Sequence, residues 1–315
     1  MIRTGNVAVC SRSFSSHPIL RSELLERYPA ATFNDRGVQL SGDALVEFLK
    51  GHDKAITALE KIDADVLARL PELTVISKYG VGLDMIDLAA MNRFGKRLGW
   101  TAGVNRRSVA ELVISFAIAM LRHVPATSRE VMAGSWRQRV GGHLSGRTVG
   151  IIGCGNVGRD LVLLLKPFGC RVLAYDIVDQ PEFYGVHNVE KAGLDALLEM
   201  SDIVTLHVPL DASTRRMLDP SRLARMKKGA ILLNLARGGL VDERVMKEML
   251  RQGDLAGAAF DVFEVEPPLD MELLSLPNFL ATPHIGGSAE EAVLAMGRAA
   301  IDGLDINEIP GIPPG

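Results

Sequence analysis

Cysteine is scarce. Cys10, Cys154 and Cys170 are the only three in 315 residues, with no CxxC pair and no histidine cluster beside them. No disulfide framework and no metal site is expected, and three unpaired thiols suit a reducing cytoplasm. Long apolar runs are also lacking. The most hydrophobic stretch, LVISFAIAML after Glu111, is ten residues long, against the ~20 that a bilayer span needs. The opening MIRTGNVAVC has no apolar signal core. Charge is balanced, with 35 Lys and Arg against 38 Asp and Glu, a net charge of −3 and no basic run. Neither nucleic acid nor a membrane is an expected partner.

What is present reads as an ordinary globular chain, 23% charged and 47% hydrophobic, long enough for about two domains of ~100–200 residues. The middle alternates apolar strand-like runs, TVGIIG, RVLAYD, DIVTLHV, AILLNLA, GAAFDV and NFLATP, with amphipathic stretches. Between the first two runs, Leu161, Leu164, Leu165 and Phe168 share one helical face, and Pro167 marks the helix end. Strands buried on both faces and separated by helices predict a parallel α/β sheet. NVAVC, KAITAL and LTVISKYG repeat the theme in the first hundred residues. GWTAG, near residues 99–104, interrupts it. NRRSVAELVISFAIAMLRHV then reads as one long helix, AEEAVLAMGRAAIDGL as a last one, and PGIPPG as a frayed tail.

VGIIGCGNVG sets Gly153, Gly155 and Gly158 in a GxGxxG turn between a strand and a helix. The first glycine makes the tight turn, the second lets a pyrophosphate approach and the third packs helix on strand. The phosphates meet the helix N-terminus. Asp176 ends the next strand at the ~20-residue spacing of an acid that accepts hydrogen bonds from the adenosine ribose, which favours NAD over NADP. Methyltransferases use a similar turn.

Ligands of parallel sheets sit at the carboxyl ends of strands. In this chain those ends carry Gly153, Asp176, His207–Pro209, Ala236–Gly239, Asp261 and Pro283–Gly287. Arg237, next to two glycines, suits a carboxylate or a polarised carbonyl. His284 suits proton transfer near neutral pH and needs a third group to orient it. DVFEVEPP offers two glutamates for that task, Glu264 and Glu266.

Together these motifs resemble the D-2-hydroxyacid dehydrogenase family, on its phosphoglycerate-dehydrogenase-like branch. The resemblance runs through SKYGVGLDMIDL, TAGVNRRSVAEL, GRTVGIIGCGNVG, TLHVPLDASTRRML, MKKGAILLNLARGGLVDE, AAFDVFEVEPP and LATPHIGGSAEEA, nearly the whole chain. It implies two Rossmann-like or flavodoxin-like parallel α/β domains. The cofactor domain, residues 102–284, would be inserted into a substrate domain made of residues 1–101 and 285–315. It further implies a homodimer formed through the cofactor domain, with the NRRSVAELVISFAIAMLRHV helix at the interface.

By the same resemblance Glu266, directly before the proline, is the catalytic glutamate, and Glu264 is solvated. Arg237, Glu266 and His284 would be the catalytic set. NAD would be held by Gly153, Gly155, Asn156, Val157, Gly158, Asp176, His207, Val208, Pro209, Thr214, Leu235, Ala236, Arg237, Asp261, His284, Gly286 and Gly287, with Asp261 at the nicotinamide carboxamide. A small 2-hydroxy or 2-keto acid would be held by Lys78, Tyr79, Gly80, Val81, Gly82, Arg237 and His284. Lys78 stands where the family often has Arg, and Thr57 where phosphoglycerate dehydrogenases tend to have one. The lysine's point charge gives a less planar grip on an anion, and Thr57 in place of that arginine weakens the case for a phosphorylated substrate. Ala102 replaces a common proline at the hinge, and no C-terminal regulatory domain is expected. Two other activities occur on this fold. One is an NAD-sensing corepressor. The other is a formate or phosphite dehydrogenase, whose formate branch pairs the histidine with Gln rather than Glu.

Overall fold

The protein is described by a computed structural model over residues 4–311. Most of the PGIPPG tail therefore lies outside the described residues. The chain divides into two compact units, residues 1–105 with 290–315, and residues 106–289. The crossings fall a few residues later than the expected 101/102 and 284/285. They coincide with the starts of the helices Arg106–Leu121 and Glu290–Gly303.

The first unit carries β1 (Val7–Val9), β2 (Thr32–Phe33), β3 (Lys54–Thr57), β4 (Val75–Lys78) and β5 (Arg97–Gly99), paired in the order β2-β1-β3-β4-β5. The second carries β6 (Thr148–Ile152), β7 (Arg171–Tyr175), β8 (Val189–Lys191), β9 (Ile203–Leu206), β10 (Ala230–Asn234), β11 (Leu255–Phe260) and β12 (Phe279–Ala281), in the order β12-β11-β10-β9-β6-β7-β8. Every pairing is parallel. The three strands that the pattern did not predict, β2, β5 and β8, all lie at sheet edges. An edge strand is half solvated, so it lacks the continuous apolar run that marks a central one.

Side chains alternate across each sheet with period two. Val7 and Val9 enter one core of the first unit and Ala8 the other. In the second unit, Ile152, Val204 and Leu232 face one layer, while Ile151, Ile203 and Leu233 face the opposite one. Each such fully buried branched side chain contributes ~1.5–3 kcal/mol.

The single helix expected over NRRSVAELVISFAIAMLRHV is two. Arg106–Leu121 ends before His123, which sits at φ 56°, and Val124–Met132 leaves at 64°. Pro125 has no N–H to extend the ladder. Val109, Val113, Phe116 and Met120 of the first helix are buried in the core of its own unit. Among the described residues no single helix is long and apolar enough to cross a membrane.

Candidate active site

The glycine turn opens the second unit's site. After β6 the chain passes β7 and β8, then returns to β9 on the other side of β6. The crevice for a ligand lies at this reversal. Gly153 (φ 93°) closes against the β9 loop, where a Cβ would lie 2.7 Å from the His207 carbonyl. A Cβ on Gly158 would lie 2.4 Å from the Gly153 oxygen. Around a Cβ on Gly155 there is nothing within 4 Å. The outer two glycines are thus needed for packing. The middle one keeps a clear approach to the N-terminus of helix Asn156–Leu165, where unsatisfied N–H groups favour a phosphate. Asn156 is exposed and Val157 half-buried on that first turn.

Asp176 follows β7. Its carboxylate accepts the Cys154 N–H at 2.7 Å and the Val178 N–H at 2.9 Å, which ties the β7 end to the glycine turn. His207 accepts or donates at 3.0 Å with the Thr205 hydroxyl, and burial pushes its pKa down to about 3. Its backbone N–H bonds the Ile152 oxygen at 2.7 Å. Val208 and Pro209 continue the loop. The Thr214 hydroxyl closes it, donating to the Pro209 carbonyl at 2.7 Å and accepting from the Asp211 N–H at 2.8 Å.

After β10 the buried Asn234 side chain shapes the turn that carries Arg237. Its amide donates to the Arg237 oxygen at 2.8 Å and its carbonyl accepts the Ala236 N–H at 3.2 Å. Leu235 and Ala236 are buried, and Arg237 is half-buried with Nη1 on the Ala236 oxygen at 2.7 Å. Gly238 then runs against the loop after β11. A Cβ there would fall 1.9 Å from the Phe263 carbonyl oxygen.

That second loop contains the cis Glu266–Pro267 bond. Glu266 uses both oxygens. Oε1 accepts the Phe263 N–H at 3.1 Å and Oε2 meets His284 Nδ1 at 3.0 Å. A carboxylate only accepts, so Nδ1 carries a hydrogen, and whenever the ring is neutral the lone pair is on Nε2. Glu264 is exposed. Its backbone N–H goes to Glu243 at 3.0 Å, and its own carboxylate lies 4.0 Å from Arg215. Burial raises the Glu243 pKa.

His284 has φ 56°, and the turn that imposes it is held by Asp261. This aspartate is 1% exposed. It accepts the Ile285 and Gly286 N–H groups, both at 2.7 Å, and the Thr282 hydroxyl. Gly286 is also held through its oxygen by the Ser108 hydroxyl at 2.6 Å, and Gly287 follows half-buried.

The model of the NAD-binding domain of D-isomer-specific 2-hydroxyacid dehydrogenases matches residues 114–286. The chain belongs to the D-2-hydroxyacid dehydrogenase family, on its phosphoglycerate-dehydrogenase-like branch. It is 38% identical over 82% of its length to D-3-phosphoglycerate dehydrogenase of Methanocaldococcus jannaschii, of which it spans 50%. It is 37% identical over 84% of its length to hydroxypyruvate reductase of Thermotoga maritima, of which it spans 87%. A solved D-2-hydroxyisocaproate dehydrogenase superposes with a TM-score of 0.83 at 26% identity over 95% of each chain. The chain thus spans about half the length of several curated relatives it matches. NAD is the cofactor of the family's matched domain, and the open ground above Gly155 fits its phosphates.

Within this family fold, the first unit's expected substrate residues follow β4. The N–H groups of Gly80, Val81 and Gly82 meet no protein acceptor among the described residues, and Gly80 has φ 124°. Successive bare N–H groups of this kind form an anion-binding concavity. Tyr79 is buried, its N–H on the Thr57 oxygen at 2.8 Å. Lys78 differs from expectation. It is 6% exposed, and its ammonium donates to the Ala58 carbonyl, so it braces the β3 and β4 loops instead of facing out. Asp261 likewise spends its carboxylate on the His284 turn. A nicotinamide amide would have to share oxygens that already hold protein donors. Sequence reasoning missed Asn234, Thr282 and Ser108. Asn234 alone left a signal, a polar residue closing the apolar run AILLN.

Proposed function

We propose that the protein is an NAD-dependent oxidoreductase interconverting a small D-2-hydroxy acid and its 2-keto acid. The observation that carries this reading is the 3.0 Å hydrogen bond between His284 and Glu266, at the carboxyl end of the same sheet as the glycine turn. NAD supplies the hydride acceptor or donor when bound. Residues 79–82 cradle the substrate carboxylate with backbone N–H groups. Arg237, with five N–H donors in a planar fork, binds carboxylate and polarises the reacting carbonyl. In oxidation His284 Nε2 takes the hydroxyl proton, and in reduction it returns it. Glu266 holds the ring in the one tautomer that leaves Nε2 available, and its charge stabilises the ring while it carries the extra proton. Asp176, next to the glycine turn, favours the unphosphorylated ribose of NAD.

A homodimer through the second unit is part of the proposal. Met132 is 77% exposed, Trp136 86% and Val140 96%, and large apolar side chains left exposed this close in sequence support an interaction surface there. A cytoplasmic location agrees with three free thiols. The test is a panel of 2-keto acids with NADH, followed by loss of NADH absorbance, for the wild type, Glu266→Gln and Glu264→Gln. Turnover of at least one acid is expected, with kcat down ~10²–10⁴-fold in Glu266→Gln and little changed in Glu264→Gln. An NADH-binding protein that reduces none of them would refute the reading.

A further inference from the structure

Trp100 is the first residue after β5, in the GWTAG break of the strand pattern. It is 39% exposed, so burial alone does not place it. What holds it is its one polar atom. The indole N–H, a donor only, reaches the Val81 carbonyl at 3.0 Å. Sheet register explains the meeting. β4 and β5 pair in parallel with Ser77 opposite Gly99, so the two strands end almost level and their following loops are neighbours. The β5 end is itself fixed, because Gly99 packs so tightly on Gly303 that a Cβ would lie 2.2 Å from the Gly303 oxygen.

The Val81 carbonyl and the Gly82 N–H belong to one peptide unit. That unit is planar and trans, so its C=O and N–H point in opposite directions. Holding the carbonyl therefore aims the N–H away from the indole. The aim needs holding. Glycine is permissive in φ, so the plane between Val81 and Gly82 turns at little cost when nothing grips it. Among the described residues no donor other than Trp100 reaches the Val81 oxygen. A carbonyl that accepts a hydrogen bond also polarises its own peptide, which strengthens the N–H at the other end.

We propose that Trp100 is a positioning residue for the substrate carboxylate, acting through the Val81–Gly82 peptide to aim the Gly82 N–H at the anion. The proposal rests on the keto-acid reductase reading and on the carboxylate being held at residues 79–82. Its effect falls on the part that all 2-keto acids share. A carboxylate keeps its charge from bound substrate to transition state, so the contact is uniform binding, which sets KM rather than kcat.

The experiment measures kcat and KM with NADH for pyruvate and 2-ketohexanoate in the wild type, Trp100→Phe and Trp100→Ala. It also measures the rise in melting temperature that oxamate, a 2-keto-acid analogue, gives each protein in the presence of NADH. Trp100→Phe keeps an aromatic ring and loses only the N–H. Melts without ligand check folding. KM should rise ~10-fold in both variants, the worth of a hydrogen bond to a charged group. The rise should be the same for both acids, with kcat and NADH affinity near wild type and with less protection by oxamate. Three results would overturn the proposal while the reductase reading stands: an unchanged KM in Trp100→Phe, a rise for one acid only, or a loss in kcat at unchanged KM. If oxamate protects the wild type more than Trp100→Phe but no 2-keto acid is reduced, the reductase reading fails and the positioning role stands. If no 2-keto acid is reduced and oxamate protects nothing, both fall.

Discussion

Gly238→Ala tests how the arginine and glutamate loops are joined. A Cβ at this position would sit 1.9 Å from the Phe263 oxygen, 2.0 Å from its carbonyl carbon and 2.4 Å from the Glu264 nitrogen. All three are backbone atoms, so no side chain can swing aside. An ordinary contact needs ~3.5 Å, and one loop must retreat by about 1.5 Å. The retreat falls between Arg237, the preceding residue, and Phe263, whose N–H holds Glu266 at 3.1 Å. A misplacement of ~1 Å in a catalytic set costs on the order of 10²-fold. We expect kcat for 2-keto-acid reduction to drop by at least that factor. Overpacking should also cost ~1–3 kcal/mol of stability, read from urea unfolding. NADH affinity, measured by fluorescence titration, should change far less, because the glycine turn is elsewhere on the sheet edge. Gly239→Ala is the control. It has φ 79°, but its nearest neighbour to a Cβ is the Leu210 side chain at 3.6 Å, so it should lose ~1 kcal/mol through backbone strain without separating the loops. A folded Gly238→Ala protein with kcat within about tenfold of wild type, under ~1.4 kcal/mol of barrier, would refute the reasoning.

Three further outcomes are expected. Gly155→Ala, with nothing within 4 Å of the new Cβ, should leave the melting temperature near wild type and weaken NADH binding, whereas Gly158→Ala, 2.4 Å from the Gly153 oxygen, should lower both; equal melting temperatures for the two would count against the assigned roles. Asp176→Ala should raise the ratio of NADPH to NADH efficiency even as loss of the Cys154 contact weakens both, and a wild type that uses the two equally would remove the basis for the claim. His207 has its pKa depressed by burial from 6.5 to about 3, so its neutral ring stabilises the fold fully above pH 6.5, and that contribution is lost as pH falls from 6.5 towards 3; His207→Asn should show a shallower fall in urea midpoint across this window, and parallel curves would contradict it.

The central strands were legible because both faces of each are buried, which leaves a nearly continuous apolar run such as AILL or IVTL. The edge strands β2, β5 and β8 carry no such mark. Arg237 and His284 could be found because both stand at strand ends, Arg237 directly before two glycines and His284 between Pro283 and Ile285-Gly-Gly. The choice of Glu266 over Glu264 came only from family resemblance. In the structure the difference is spatial, with Glu266 turned to His284 and Glu264 to solvent and Arg215. The supports of the site were illegible for a related reason. Ser108 reaches Gly286, 178 positions away, and Gly238 is required by a backbone 25 residues further on. No local pattern encodes such a meeting. Lys78 is expected from the sequence to hold substrate, and no local pattern tells that its ammonium donates to the Ala58 carbonyl across the neighbouring loop.

The two crossings between units also set an order of completion. The helix Glu290–Gly303 closes the first sheet, with the Ser77 hydroxyl on the Ala300 oxygen at 2.6 Å and Gly99 so near Gly303 that a Cβ would lie 2.2 Å from its oxygen. That helix is synthesised only after every residue from 106 to 289. The inserted unit is one continuous stretch and needs nothing made later, so it can close while the sheet that preceded it still lacks its covering helix. During synthesis the unit begun first is the one finished last. Its exposed apolar face, Val7, Val9 and Ile56 included, must wait through the making of the whole insert, which makes nascent chains halted before residue 290 the ones most in need of a chaperone.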